Sequence, residues 1–257
     1  VKKTVGHVKM PYIFVILILV IIVGILTVRH FDNQEKSASP DVKKSTSTAP
    51  SKNTFPKGVK STDWDLVLVN KKQPLSAELN FNKVTVDDKQ IDTRIEQPLA
   101  NFRQAAQKAG YATTLVSGYR SIAYQKQIFD NSVAQYEANG LSTTEAKNKT
   151  ALVIQTPGAS EHHTGLAVDL AGDDALAAYP ALQAEMDQYA SQKWLIQHAP
   201  DYGFVLRFLS DAKSIKQTGI DYESWHFRYV GVANAKYMTQ HHLTLEAYVA
   251  ALKNANR

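Results

Sequence analysis

The stretch Pro157-Gly-Ala-Ser-Glu-His-His-Thr-Gly-Leu-Ala-Val-Asp-Leu170 leaves this chain little freedom. It reads as a loop feeding a short strand. From Leu166 the side chains alternate, with Leu166, Val168 and Leu170 on one face and Ala167 and Asp169 on the other. The apolar set can enter a core, which turns Asp169 toward a cleft. Gly165 lets the backbone turn sharply just after His162. An imidazole and a carboxylate converging on one open face form the start of a zinc site. The best third ligand is His226, in Tyr222-Glu-Ser-Trp-His-Phe-Arg-Tyr229.

The N-terminal part of the chain reads differently. Residues 1–9 carry Lys2, Lys3 and Lys9 and are expected to form a short cytoplasmic tail. Residues 10–29 enclose the uncharged apolar run Pro11 to Val28, long enough to cross a bilayer as one helix. A cleaved signal peptide is the alternative, but its apolar core would be unusually long, and no small-x-small site follows at once. Residues 30–60 are rich in Ser, Thr, Lys, Asn and Pro and read as a flexible tether. The expected arrangement is therefore a single-pass protein of the cell membrane. Its folded domain, residues 61–257, lies outside the cell.

The formal charge of +5 is spread along the chain, and no basic block carries interleaved aromatics, so nucleic acid is not an expected partner. The chain has no cysteine, which excludes disulfides, thiolate ligands and a cysteine nucleophile.

Within the domain, the pattern predicts strands at Trp64–Val69, Thr113–Val116, Tyr202–Arg207 and Ser224–Val230, and a short extended piece at Ile91–Ile95. On the Ser224–Val230 strand, Trp225, Phe227 and Tyr229 share one face, and His226 and Arg228 share the other. Helices are expected from Pro98 to Gly110, through Tyr124, Ile128 and Val133 to about Asn139, and over Ser142–Ile154, Leu182–His198, Ala233–Gln240 and Leu245–Leu252. In the first of these, Leu99, Phe102, Ala105, Ala106 and Ala109 recur at helical spacing. Ser142 and Glu145 have the spacing of a capping box. Strands and helices mix without strict alternation, which points to an α+β fold with a mainly antiparallel central sheet flanked by helices.

Two imidazoles and one carboxylate, His162, Asp169 and His226, suit a zinc ion with an open fourth position. Such an ion lowers the pKa of water to about 7. Glu223, three residues before His226, is the candidate general base. Arg120 follows a strand end and can hold a carboxylate or an oxyanion. Ser117, Ser121, Gln125 and Ser160 can add neutral hydrogen bonds, with Ser160 suited to a terminal carboxylate. His163 is expected to be a supporting or solvent-facing residue. His198, His241 and His242 are expected on helix surfaces.

The segments Ser160-x-His162-x-x-Gly165-x-Ala167-x-Asp169, Glu223-Ser-Trp-His226 and Ser117-Gly-Tyr119-Arg-Ser121 together resemble the zinc D-alanyl-D-alanine and L,D-carboxypeptidases of the VanY type. Their wider fold group includes lysostaphin-like and hedgehog-like domains. The resemblance runs from about Trp64 to the C-terminus. It implies zinc on His162, Asp169 and His226, Glu223 as base and Arg120 as the substrate clamp, with Tyr119 beside it. It also implies a cleft on the sheet where a terminal D-alanine is removed from peptidoglycan stem peptides. Family members often carry a histidine where the Asn70-Lys-Lys-Gln73-Pro turn has Gln73.

Two other readings keep the zinc: a wall endopeptidase or D-Ala-D-Ala dipeptidase, and a non-catalytic wall-binding module. Glu223 argues against the second. Ser210-Asp-Ala-Lys213 has the Ser-x-x-Lys spacing of penicillin-binding enzymes but lacks the companion Lys-Thr-Gly and Ser-Asp-Asn segments.

Overall fold

The computed structural model describes residues 54–257, which form one unit. The expected tail and anchor, and the tether as far as residue 53, lie outside the described residues. Among the described residues no helix is long and apolar enough to cross a membrane. The packed chain begins upstream of residue 61, because Phe55 and Val59 join an apolar cluster with the C-terminal helices.

The fold is α+β. Strands β1 (Lys83–Val86) and β2 (Lys89–Asp92) form an antiparallel hairpin. Strands β3 (Thr113–Ser117), β4 (Ala167–Gly172), β5 (Phe204–Leu206) and β6 (His226–Tyr229) form a second sheet in the order β3-β4-β6-β5, antiparallel throughout. The helices are α1 (Glu96–Lys108), α2 (Ile122–Ala138), α3 (Thr143–Val153), α4 (Asp173–Ala178), α5 (Ala190–His198), α6 (Ala212–Thr218), α7 (Val232–Gln240) and α8 (Leu245–Asn254).

One face of the four-stranded sheet carries the main core. Leu166, Val168, Leu170, Phe204 and Phe227 pack there with Leu99, Phe102 and Ala106 of α1. β4 is buried on both faces because it lies between β3 and β6 and is covered above and below. The apolar alternation of the Leu166–Leu170 segment thus turns Asp169 away from the core, as its sequence requires.

The Ser142/Glu145 capping box forms at the start of α3, and Gly110 ends α1 with φ 91°. Several local expectations are corrected. Trp64–Val69 is not a strand: Trp64–Leu66 is a 3-10 turn, and the carbonyls of Asp65 and Val67 accept from Arg228 Nη2 rather than from a neighbouring strand. Leu182–His198 is not one helix. A 3-10 turn at Ala184–Gln188 and α5 are separated by extended Tyr189. The buried face of α2 is Gln125, Phe129 and Val133, one residue round from the expected stripe, and Tyr124 is exposed. Ala109 is exposed as well. The β1–β2 hairpin has no glycine signal. Its turn uses Asp87 and Asp88, both with positive φ, a conformation that short acidic side chains tolerate.

Candidate functional site

Sheet register assembles the site. Asp169 pairs with His226 on β6 and with Ser117 on β3, so three strands bring these residues side by side. A register shift between Leu115 and Ser117 adjusts the end of β3 where it meets Asp169. His162 comes from the 3-10 turn Glu161–Thr164, which Gly165 closes at φ 68°. A Cβ on Gly165 would lie 2.5 Å from the Phe81 ring, so the position excludes larger residues on both counts.

Each imidazole is oriented by a bond on the side away from the cluster. His162 Nδ1 lies 2.7 Å from the Gly118 carbonyl oxygen and donates to it, which leaves Nε2 as the acceptor in the neutral ring. His226 Nε2 lies 3.2 Å from Glu161 Oε2 and donates to that carboxylate, which leaves Nδ1 facing inward. Between them sits Asp169, with Oδ2 3.3 Å from His162 Nε2 and Oδ1 3.2 Å from His226 Nδ1. Asp169 Oδ1 is buried and accepts no hydrogen bond.

His162, Asp169 and His226 each offer a ligand atom, and these atoms lie within 4.8 Å of one another. The residues fit a small divalent ion. One carboxylate oxygen faces each imidazole, Oδ2 toward His162 Nε2 and Oδ1 toward His226 Nδ1, and two imidazoles with one carboxylate are a donor set that suits zinc. A cation among them also satisfies the unpartnered carboxylate oxygen, which otherwise costs about 1–3 kcal/mol.

The electrostatics are strongly polarised. Burial, aided by the Arg120 charge, lowers His162 to about 4, so its ring is neutral near pH 7. Burial also acts against a charged His226, but Asp169 and Glu161 outweigh it and raise the group to about 9. Asp169 is held well below the usual carboxylate range, because the facing His162 and His226 rings overcome its burial. Glu223 is pushed up to about 7 by burial. Its Oε2 lies 3.5 Å from His226 Nδ1, and its side chain keeps 26% exposure.

Arg120 reaches the cluster with Nη2 3.3 Å from Asp169 Oδ2. Its Nε donates to Ser117 Oγ and its Nη1 to Gln125 Oε1. Gln125 is buried and also donates to the Gln155 carbonyl, so both ends of its amide are used inside the fold. Ser121 caps α2 by accepting from the Tyr124 N–H. Tyr119 donates its hydroxyl proton to Glu78. Ser160 is buried beside the histidine turn. Ser117 and Gln125 therefore position Arg120 and Ser121 starts the helix after it, while Arg120 and Glu223 border the three-residue cluster. His163 is fully buried: its Nε2 accepts from the Gly158 N–H and its Nδ1 donates to the Arg120 carbonyl.

Glu161 and Glu78 have no counterpart among the residues expected from the sequence. Glu161 accepts from Arg207 Nε at 2.8 Å and Arg228 Nη1 at 2.7 Å, besides His226. Burial alone would raise its pKa, but the two arginines hold it well below the usual range. Its signal lay in Arg207 and Arg228, two charges on strands with apolar neighbours. Glu78 accepts from both Tyr119 and the Ile122 N–H, locking the Arg120 loop to α2.

Residues 88–232 match the family model described as VanY: D-alanyl-D-alanine carboxypeptidase. The chain is 32% identical over 188 residues to a D-alanyl-D-alanine carboxypeptidase of Enterococcus faecalis (strain ATCC 700802 / V583), covering 73% of this chain and 66% of that protein. Among solved structures it is similar to a mutant of the vancomycin-resistance D,D-pentapeptidase VanY in complex with Zn(II). That match has a TM-score of 0.62 and 32% identity, over 73% of this chain and 99% of the other. It is also similar to a vancomycin-resistance D,D-dipeptidase in complex with a D-Ala-D-Ala phosphinate analog, at TM-score 0.59 and 31% identity, over 72% and 70% of the two chains.

Proposed function

Because the chain belongs to the VanY family of D-alanyl-D-alanine carboxypeptidases, we propose that it is a zinc carboxypeptidase removing a terminal D-alanine from peptidoglycan stem peptides. The observation that carries this reading is the buried, unpartnered Oδ1 of Asp169 beside two inward-facing imidazole nitrogens. His162, Asp169 and His226 would hold the ion. When bound, zinc polarises the scissile carbonyl and the attacking water.

The chain's own residues supply the remaining steps. The Glu223 carboxylate takes a proton from the attacking water and delivers it to the leaving amine. Its position 3.5 Å from a ligand nitrogen supports this role, close to the metal but outside the ligand set. Arg120 commits three donors to Ser117, Gln125 and Asp169. A guanidinium carries five, so two remain for the substrate's terminal carboxylate or the developing oxyanion. In this reading Ser160 and Tyr119 keep the substrate-binding role expected of them from the sequence. A wall-binding module without catalysis has no use for Glu223 at this distance.

Residues 10–29 are kept in this reading as a membrane anchor, with residues 30–60 as the tether that lets the domain reach the wall outside the cell. The uncharged apolar run and the lysines before it support that arrangement. A second reading, a D-Ala-D-Ala dipeptidase, draws on the similarity to the dipeptidase structure.

The test is to incubate the zinc-loaded full chain with a pentapeptide stem, a tetrapeptide stem and free D-alanyl-D-alanine, and to follow each by mass spectrometry. Loss of one alanine from a stem supports the carboxypeptidase. Cleavage of the free dipeptide alone moves the assignment to the dipeptidase, and no cleavage of any of the three removes the enzyme reading.

A further inference from the structure

The two histidines of the cluster are held in different ways. His162 leans on a neutral backbone carbonyl, that of Gly118. His226 leans on a carboxylate that is itself buried and charged. Glu161 has 4% exposure, and its Oε1 accepts from both Arg207 and Arg228, leaving Oε2 for His226 Nε2. Arg207 continues through Nη1 and Nη2 to Glu246 at 2.9 and 2.7 Å, which brings in α8. Glu246 in turn accepts from Asn70 at the Asn70–Gln73 turn. Arg228 fixes the carbonyls of Asp65 and Val67. Two buried guanidiniums are balanced by the buried Glu161 and the half-buried Glu246, and the second oxygen of Glu161 faces the imidazole. A balanced set of charges alone does not require that third contact.

We propose that Glu161 is the positioning residue of the metal centre: its carboxylate fixes the ring orientation and tautomer of His226 and raises the basicity of His226 Nδ1 toward the ion. The inference rests on the zinc reading given above. A carboxylate behind a ligating imidazole does both jobs, and its loss typically weakens metal binding 10–100-fold. The arginines keep the carboxylate ionised and immobile inside the fold. They thereby tie the His226 ligand to α8 and to the Asn70 turn, neither of which touches the cluster.

The test compares zinc affinity of the metal-stripped full chain with that of two variants, by competition with a chromophoric chelator at neutral pH. Glu161→Gln removes the charge that faces His226. Glu246→Gln weakens the same network at its far end without touching the imidazole. The expected result is a 10–100-fold loss of zinc affinity in Glu161→Gln and a change below about 3-fold in Glu246→Gln, even if both lower the melting temperature. If Glu161→Gln does not fold, Glu161→Gln with Arg228→Gln removes the buried cation left without its partner, and the same loss is expected. Equal affinity in the native chain and a folded Glu161 variant overturns the proposal, as does an equal loss in Glu246→Gln. A native chain that takes up no zinc instead overturns the zinc reading on which the proposal stands.

Discussion

In the neutral tautomer that donates Nε2–H to Glu161, His226 Nδ1 faces Asp169 Oδ1 at 3.2 Å, acceptor to acceptor, with no proton between them. Both are buried, both are positioned by paired strands, and both have their other atoms engaged elsewhere. A cation resolves the contact. Asp169→Asn puts an amide where an anionic oxygen is needed and removes a charge from the ligand set. The expected outcome is a purified variant with substoichiometric zinc while the native chain retains one ion, read by metal analysis after dialysis. Full zinc occupancy in the variant contradicts the ligand assignment.

Glu223 stands outside the ligand set, so Glu223→Ala is predicted to keep zinc and lose turnover by about 10²–10⁴-fold, the range for a general base. Because burial pushes this carboxyl up to about 7, and a nearby cation pulls it down, activity should fall as pH drops through a value at or below 7. That acidic limb should vanish from the residual activity of the variant. A pH–rate profile on both proteins checks it.

Arg120→Lys keeps the charge but cannot reach Ser117, Gln125 and Asp169 with one fork. The predicted loss is about 1.5–3 kcal/mol of transition-state binding, roughly 10–150-fold in kcat/KM. If Arg120 grips the terminal carboxylate, the loss is large on a free-acid peptide and small on its C-terminal amide. Equal losses on both peptides assign it to the oxyanion instead.

His226 links metal to stability. Its folded pKa is raised to about 9, against an unfolded value of about 6.5. The imidazolium's contribution is therefore present in full below pH 6.5 and is lost as pH rises through 9. Chelator-treated protein should melt several degrees lower at pH 9 than at pH 7, and zinc should abolish most of the difference. Identical melting temperatures at the two pH values in chelator would refute the assigned contacts.

His163 satisfies the Gly158 N–H and the Arg120 carbonyl from inside the fold. His163→Ala leaves the buried Gly158 N–H without its partner, at about 1–3 kcal/mol, and the half-buried Arg120 carbonyl without its side-chain donor at a smaller cost. A clear drop in melting temperature with zinc still bound is expected, and loss of zinc at unchanged stability would make His163 a ligand.

The sequence was most legible where local pattern and chemistry coincide. The alternation through Leu166, Val168 and Leu170 fixes which way Asp169 points, and the Ser142–Glu145 spacing fixes the start of α3. It was least legible where distant side chains replace regular backbone pairing. Trp64–Val69 has strand-like residues, yet Arg228, over 160 positions away, satisfies its carbonyls. Tyr189 breaks a segment whose periodicity reads as one helix. Within the site, the residues that border the cluster have recognisable chemistry in sequence. Glu161 and Glu78 do not, because their roles exist only once Arg207, Arg228, Tyr119 and the start of α2 are folded against them.

The most direct measurement is D-alanine release from a defined stem peptide by the native full chain and by Glu223→Ala, each shown beforehand to carry one zinc. The account predicts release of one alanine per peptide by the native protein and almost none by the variant. Release at equal rates by both, or by neither, would contradict it.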